Sequence, residues 1–124
     1  LASTAGNDLM SGLQDIGGIS VLSTIVEGAD AKSLRGIADQ VRSKMQRGVF
    51  MLAAVEGEKA ALVAGVTQNL TDDIKAGELL KFVTDQVGGK GGGRPDLAQG
   101  ATGDVSQLPS VLQSVYQWVA EKSE

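Results

Sequence analysis

The sequence predicts a single-domain α/β (α+β) fold: a mixed β-sheet of about four to five strands packed by helices, with the end of an N-terminal linker helix in front of it. Three observations predict it. Two nearly unbroken apolar runs, Val49 to Val55 and Ala60 to Thr67, flank the polar turn Glu56-Gly57-Glu58-Lys59. Strands that apolar are buried on both faces, so they call for a layer above and a layer below. Apolar residues also recur at helical spacing in other stretches, which supply those layers. Finally, 124 residues with 42% hydrophobic content suit one domain with a real core, and only 3% aromatics means that core is Val, Leu, Ile and Ala.

Taken in order, Leu1, Ala5, Leu9 and Leu13 recur at four-residue spacing, a weak amphipathic helix that Gly17-Gly18 breaks. The expected division is therefore 1–16 as the end of a helical linker and 17–124 as the globular domain. Ile19 to Val26 is rich in Val and Ile and reads as a strand. Asp30 is placed to cap a helix whose inner face is Leu34, Ile37, Ala38, Val41 and Met45, with Gly48 expected as its C′ residue. The two apolar strands follow as a hairpin, and Gly65 within the second marks a bulge or a close backbone approach. Thr71, Asp72 and Asp73 suit the start of the next helix, which Gly77 bends or interrupts. Leu79, Leu80, Val83 and Val87 form its inner face, and Gly88 ends it. Leu97 to Ala101 reads as a short strand and Gly100 to Asp104 as a turn. Leu108, Val111, Leu112, Val115 and Val119 make the last helical face, with Pro109 tolerated in its first turn.

Composition removes several classes of function. With no cysteine and no histidine, disulfides, thiolate nucleophiles, the usual zinc sites and histidine acid–base chemistry are excluded. No nucleophile–base–orienter set is present, so catalysis is not expected of this piece, and no metal or cofactor site is expected in it. Net charge is −4 and pI about 4.7, which argues against a sequence-blind grip on nucleic acid but leaves room for a local basic patch. No apolar run approaches the roughly 20 residues needed to cross a bilayer, and no signal peptide is visible, so a cytoplasmic location without membrane contact is expected. The first residue is not methionine, which suggests a domain cut from a longer protein.

The run Gly88-Gly89-Lys90-Gly91-Gly92-Gly93-Arg94-Pro95-Asp96-Leu97-Ala98-Gln99-Gly100 is the most unusual stretch. Glycine loses more conformational freedom on folding than any other residue, so the cluster is costly to order. It is expected where the backbone takes positive φ or lets a ligand come close. The phosphate-loop and dinucleotide patterns both fail here, since no Ser or Thr follows Lys90 and the run follows a helix rather than a strand. A nucleic-acid reading survives: consecutive backbone N–H groups form an anion nest, Lys90 adds a point charge, and Arg94 adds a flat fork for phosphate or base. The plain structural alternative is a helix cap followed by a tight return into an edge strand. Elsewhere the plain readings prevail. Lys32, Arg35, Arg42 and Lys44 read as a solvated helix face interrupted by Asp39. Asp96 reads as a turn former bonding its local backbone, and Trp118 as half-buried beside Val115 and Val119.

The run from Gly88 to Gly100 resembles the glycine-rich motif of the C-terminal domain of alanyl-tRNA synthetases of bacterial type, one of the DHH-associated domains. Val26-Glu27-Gly28, Leu34-Arg35, Leu62 to Thr67, Lys75 to Leu79 and the ending from Leu108-Pro109 through Trp118-Val119 are similar to that family too, so the likeness spans about residues 17 to 124. Phosphodiesterase relatives end the corresponding loop in histidine; Arg94 stands there, followed by Pro95-Asp96, as in the synthetase branch. Gly100-Ala101-Thr102-Gly103 departs from the more usual run of glycines, which implies a stiffer turn. The resemblance implies a non-catalytic tRNA-binding module of an alanine–tRNA ligase. It would contact the outer corner of tRNA(Ala) and couple aminoacylation with editing. Its partners would be tRNA(Ala), the remainder of the synthetase, and a second copy through the N-terminal helical part. ATP, magnesium and zinc would belong to the parent enzyme. The site residues it implies are Gly89, Lys90, Gly91, Gly92, Gly93, Arg94 and Gln99. Two other readings stand beside it: a dimerisation or protein-interaction domain with little RNA contact, and the accessory nucleic-acid-binding domain of a DHH phosphodiesterase.

Overall fold

The structure is a computed structural model that describes residues 14–16, 18–26, 30–44, 47–70, 74–94, 96–103 and 105–122. In chain order the elements are β1 (Gln14–Ile16), β2 (Ile19–Ile25), α1 (Ala31–Lys44), β3 (Gly48–Glu56), β4 (Lys59–Val66), α2 (Ala76–Val87), β5 (Lys90–Gly93), β6 (Leu97–Thr102) and α3 (Leu108–Lys122). They form one six-stranded sheet in the order β1-β2-β3-β4-β6-β5. Among the described residues only β2 and β3 pair in parallel, and every other pairing is antiparallel. A parallel pair needs a crossover, and α1 supplies it, so β2–α1–β3 is a βαβ unit to which β1 and β4 add as antiparallel neighbours and the β5–β6 hairpin adds beyond β4.

Register divides the sheet into two faces, because side chains alternate along each strand. Val21, Val49, Met51, Leu62, Ala64 and Ala98 point to one face and bury against α2 and α3. Leu22, Phe50, Leu52 and Val63 point to the other and bury against Leu34, Ala38 and Val41 of α1. Each Leu, Val or Phe so buried contributes about 1.5–3 kcal/mol, and this two-sided filling is what the apolar runs of β3 and β4 require. α1 packs on β3 and β4, while α2 packs on β5 and β6 from the opposite side. The β5–β6 end is therefore covered on one face and open on the other.

The local signals hold in several places. Asp30 Oδ1 accepts the Ser33 N–H at 2.7 Å, the expected N-cap of α1. Gly57 takes φ 66° in the two-residue turn of β3–β4. Gly88 closes α2 at φ 75°, its N–H donating to the Thr84 carbonyl at 2.8 Å. Tyr116, beside the buried face of α3, sends its hydroxyl to Ser23 on β2. It accepts the Ser23 N–H at 3.0 Å and donates to the Ser23 carbonyl at 3.1 Å, so one hydroxyl serves both backbone groups of that residue.

Other expectations are corrected. The helical reading of the first residues lies outside the described residues except at its end, where Gln14–Ile16 is a strand paired with β2. The sheet has six strands rather than four or five, because β1 and β5 carry no sequence pattern of their own. Gly48 does not end α1 but begins β3, with its N–H donating to Thr67 Oγ1 and its carbonyl accepting the Thr67 N–H. Met45 lies outside the described residues, as do Thr71, Asp72 and Asp73. α2 begins at Ala76, so Gly77 sits in its first turn and interrupts nothing. Gly65 marks no bulge, since the β3–β4 register runs unbroken past it. It makes room for a ring: a Cβ there would lie 2.1 Å from Phe50 Cζ. Gly100 to Thr102 belongs to β6 rather than to a turn.

Candidate nucleic-acid interface

The glycine run folds as the outer hairpin of the sheet. Lys90–Gly93 is β5, the edge strand, and Leu97–Thr102 is β6. Apart from Gly88, which takes φ 75° as it closes α2, its glycines do not serve positive φ: among the described residues the others that adopt it are Gly18 and Gly57, outside the run. The expected nest is corrected for the same reason, because successive N–H groups of an extended strand point to opposite sides.

Close approach is what the glycines serve. Arg94 and Leu97 exchange both backbone hydrogen bonds, at 2.9 and 3.3 Å. Antiparallel pairs alternate, so Gly92–Gln99 is a hydrogen-bonded pair, whereas Gly91–Gly100 and Gly93–Ala98 are not. In such non-bonded pairs the Cα atoms come nearest. A Cβ on Gly91 would lie 2.6 Å from Gly100 Cα and 2.7 Å from Leu80 Cδ2; one on Gly93 would lie 2.7 Å from Ala98 Cα; one on Gly89 would lie 2.3 Å from the Ala101 carbonyl oxygen. Gly89, Gly91 and Gly93 thus let β5 lie tight against β6 and α2. The N–H groups of Gly91 and Gly93 point to the outer edge of the sheet.

Alternation puts Lys90, Gly92 and Arg94 on the opposite, open face, with Gln99 directly across from Gly92 and Ala101 across from Lys90. All of these are exposed, and nothing lies within 4 Å of where a Gly92 Cβ would stand. The result is a flat floor of Gly92 and Ala101 with Gln99 on it and a cation at either end. The hairpin brings together every site residue expected from the sequence, and divides them: Lys90, Gly92, Arg94 and Gln99 on the open face, Gly89, Gly91 and Gly93 turned toward β6 and α2, with Gly91 and Gly93 still exposed along the sheet edge.

Asp96 does not bond its local backbone as expected of a turn former. Its Oδ2 lies 3.3 Å from Arg42 Nη1 of α1, and its Oδ1 lies 3.8 Å from Arg94 Nε. Arg42 also faces Asp39 at 3.7 Å. No signal in the sequence joins residues 42 and 96; only the packing of α1 on β4 does. Where the start of α2 meets the end of β5, a shallow cavity of about 250 Å³ is lined by Lys75, Gly77, Glu78, Gly93 and Arg94. Trp118 is half-buried, tilted against Phe82 at 5.7 Å with Lys122 Nζ 5.4 Å above it. Among the described residues no three His, Cys, Asp or Glu side chains cluster to hold a metal ion, and no helix is long and apolar enough to cross a membrane.

A six-stranded mixed sheet ending in a glycine hairpin defines the class: the chain belongs to the DHHA1 domain family, whose profile matches residues 18–121. Within that class it is similar to an alanine–tRNA ligase of Hydrogenovibrio crunogenus, 49% identical over 97% of this chain and 14% of that protein. Its structure matches the crystal structure of the C-Ala domain of Aquifex aeolicus alanyl-tRNA synthetase at a TM-score of 0.79, with 27% identity over 87% of this chain and 97% of that one. A pGpG-specific phosphodiesterase from Vibrio cholerae shares the fold at a TM-score of 0.53, with 9% identity over 97% of this chain and 39% of that one. The chain spans about a seventh of the length of the curated relatives it matches.

Proposed function

We propose that this chain is the tRNA-binding C-terminal domain of an alanine–tRNA ligase, and that the open face of the glycine hairpin meets the outer corner of tRNA(Ala). The domain is not itself catalytic in this reading. It holds one tRNA so that aminoacylation and editing act on it in turn, in the cytoplasm, while ATP, magnesium and zinc serve other parts of the enzyme. The single observation that carries the reading is the helix-free floor of Gly92 and Ala101, with Lys90 and Arg94 at its ends and Gln99 upon it. A floor of a glycine and an alanine methyl, with Gln99 alone standing on it, admits a base plane or a sugar–phosphate strand. Lys90 supplies a point charge, Arg94 a planar fork with a side chain 75% exposed, and Gln99 paired donor and acceptor. The similarity to the C-Ala domain supports the choice of tRNA.

The test is filter binding of the 124-residue chain to tRNA(Ala) and to a stem–loop lacking the folded corner. Tighter binding to the intact tRNA is expected, and equal affinity for both removes the corner from the proposal. Lys90→Ala and Arg94→Ala should each weaken binding with melting unchanged, since exposed substitutions stay within about 0.5 kcal/mol. Two phosphate contacts alone would make affinity fall about tenfold between about 50 and 200 mM salt. Unchanged affinity in both variants would reduce the hairpin to a structural turn.

A further inference from the structure

We infer that Arg42, Asp96 and Arg94 act as one phosphate-gripping unit where α1 meets the glycine hairpin, with Arg42 a further RNA-contacting residue and Asp96 the positioning residue that aims both arginines. This rests on the tRNA-binding reading above and extends it from the hairpin to the helix. The three residues come from separate parts of the chain. Arg42 Nη1 donates to Asp96 Oδ2 at 3.3 Å, and Arg94 Nε lies 3.8 Å from Oδ1, so opposite oxygens of one carboxylate hold two guanidinium groups side by side.

The carboxylate is itself held. The Asp96 carbonyl accepts the Val66 N–H at 3.0 Å, and the Arg94–Leu97 backbone pair flanks it. Its side chain is 19% exposed, whereas those of Arg42 and Arg94 are 35% and 75% exposed. The anchor is thus sheltered and the cations face outward. Arg94 is engaged through Nε, which leaves its terminal nitrogens for a phosphate fork. Stability alone does not account for two arginines on one carboxylate, because exposed ion pairs contribute only about 0–1 kcal/mol. Pre-set guanidinium groups do account for it, since less side-chain freedom is lost when a ligand binds.

The same geometry assigns opposite roles to the two carboxylates beside Arg42. Asp39, 67% exposed and 3.7 Å from Arg42 Nη2, lies on the solvent side and competes with an incoming phosphate. Asp96 lies behind the guanidinium groups and orients them. Simple electrostatics would have removal of either negative charge tighten RNA binding; positioning by Asp96 reverses the sign for that residue alone.

The experiment is tRNA(Ala) binding by the 124-residue chain across a salt series, with urea midpoints taken for each variant. A third cation makes the wild-type fall roughly fortyfold between about 50 and 200 mM salt, and Arg42→Ala returns it to about tenfold while weakening binding about fivefold. Arg42→Lys keeps the charge and recovers the salt slope but not the full affinity. Asp96→Asn should weaken binding about threefold, and Asp39→Asn should leave it equal or tighter. An Arg42→Ala variant with the wild-type salt slope, or an Asp96→Asn that tightens binding as Asp39→Asn does, overturns the inference. If Lys90→Ala and Arg94→Ala weaken binding but Arg42→Ala does not, only this extension fails. If none of them does, the hairpin is a structural turn and its role as the tRNA-binding face fails with it.

Discussion

Two neighbouring hairpins of one sheet use glycine for different ends. β3–β4 is filled on both faces, and its one interior glycine, Gly65, exists for a side chain: the Phe50 ring occupies the space where its Cβ would be. β5–β6 is filled on one face only, and its glycines exist for the backbone: Gly89, Gly91 and Gly93 bring β5 against β6 and α2. Gly92, between them, meets nothing. The contrast teaches that a glycine run is not one feature. Alternate residues of the same strand answer to packing and to the open surface, and the comparison can be broken one residue at a time.

The largest effect is expected in the filled hairpin. Gly65→Val drives two branches into the fully buried ring of Phe50, and overpacking of that kind costs about 3 kcal/mol or more. Urea denaturation should show it. Gly65→Ala combined with Phe50→Leu should lose less than the sum of the two single changes, because the smaller side chain vacates the contested space. Strict additivity would mean that Gly65 answers to something other than the ring.

Next comes the pair that separates the two faces of β5. Gly91→Ala should cost about 1–3 kcal/mol, since its Cβ meets backbone that has nowhere to move. Gly92→Ala should stay within about 0.5 kcal/mol of wild type, with tRNA affinity the quantity that changes. Gly92→Val should weaken binding more than either charge removal, through blocked approach alone, because the residue has no positive φ to lose. Equal melting of the Gly91→Ala and Gly92→Ala variants would erase the distinction between packed and open face.

The smallest effect lies farthest from the hairpin and sets its baseline. The Ser33 backbone N–H, then the Ser33 hydroxyl, hold the exposed Asp30 carboxyl below its ordinary range. Its pKa is lowered on folding, so its contribution is fully present above the unfolded value near 4 and is lost as pH falls through the folded one. Asp30→Asn should lower the urea midpoint slightly at pH 7, and the gap to wild type should close as pH falls through the lowered folded value. A gap that persists there would assign the cap no charge term. tRNA affinity at pH 7 should not change, since Asp30 starts α1 while Arg42 stands near its other end.

Much of this molecule was determined by the order of its residues alone. Asp30 caps α1, Gly88 ends α2, Leu108 to Val119 line α3, and the runs of β3 and β4 demand two covering layers; each is a periodicity or a cap that works within a few residues of chain. The candidate site residues were legible as a cluster because Gly89 to Arg94 are contiguous and Gln99 follows within the same run. Their conformation was not. A row of glycines carries no side-chain alternation, so nothing local makes Lys90–Gly93 a strand; hydrogen bonds to β6 and the approach of Leu80 do. β1 is a strand for the same reason, three residues long and defined by its pairing with β2. The division of the glycines between two faces follows from register, and the meeting of Arg42 with Asp96 follows from α1 lying on β4. Those belong to the tertiary structure, because contacts between residues 54 apart in sequence exist only after the layers have closed.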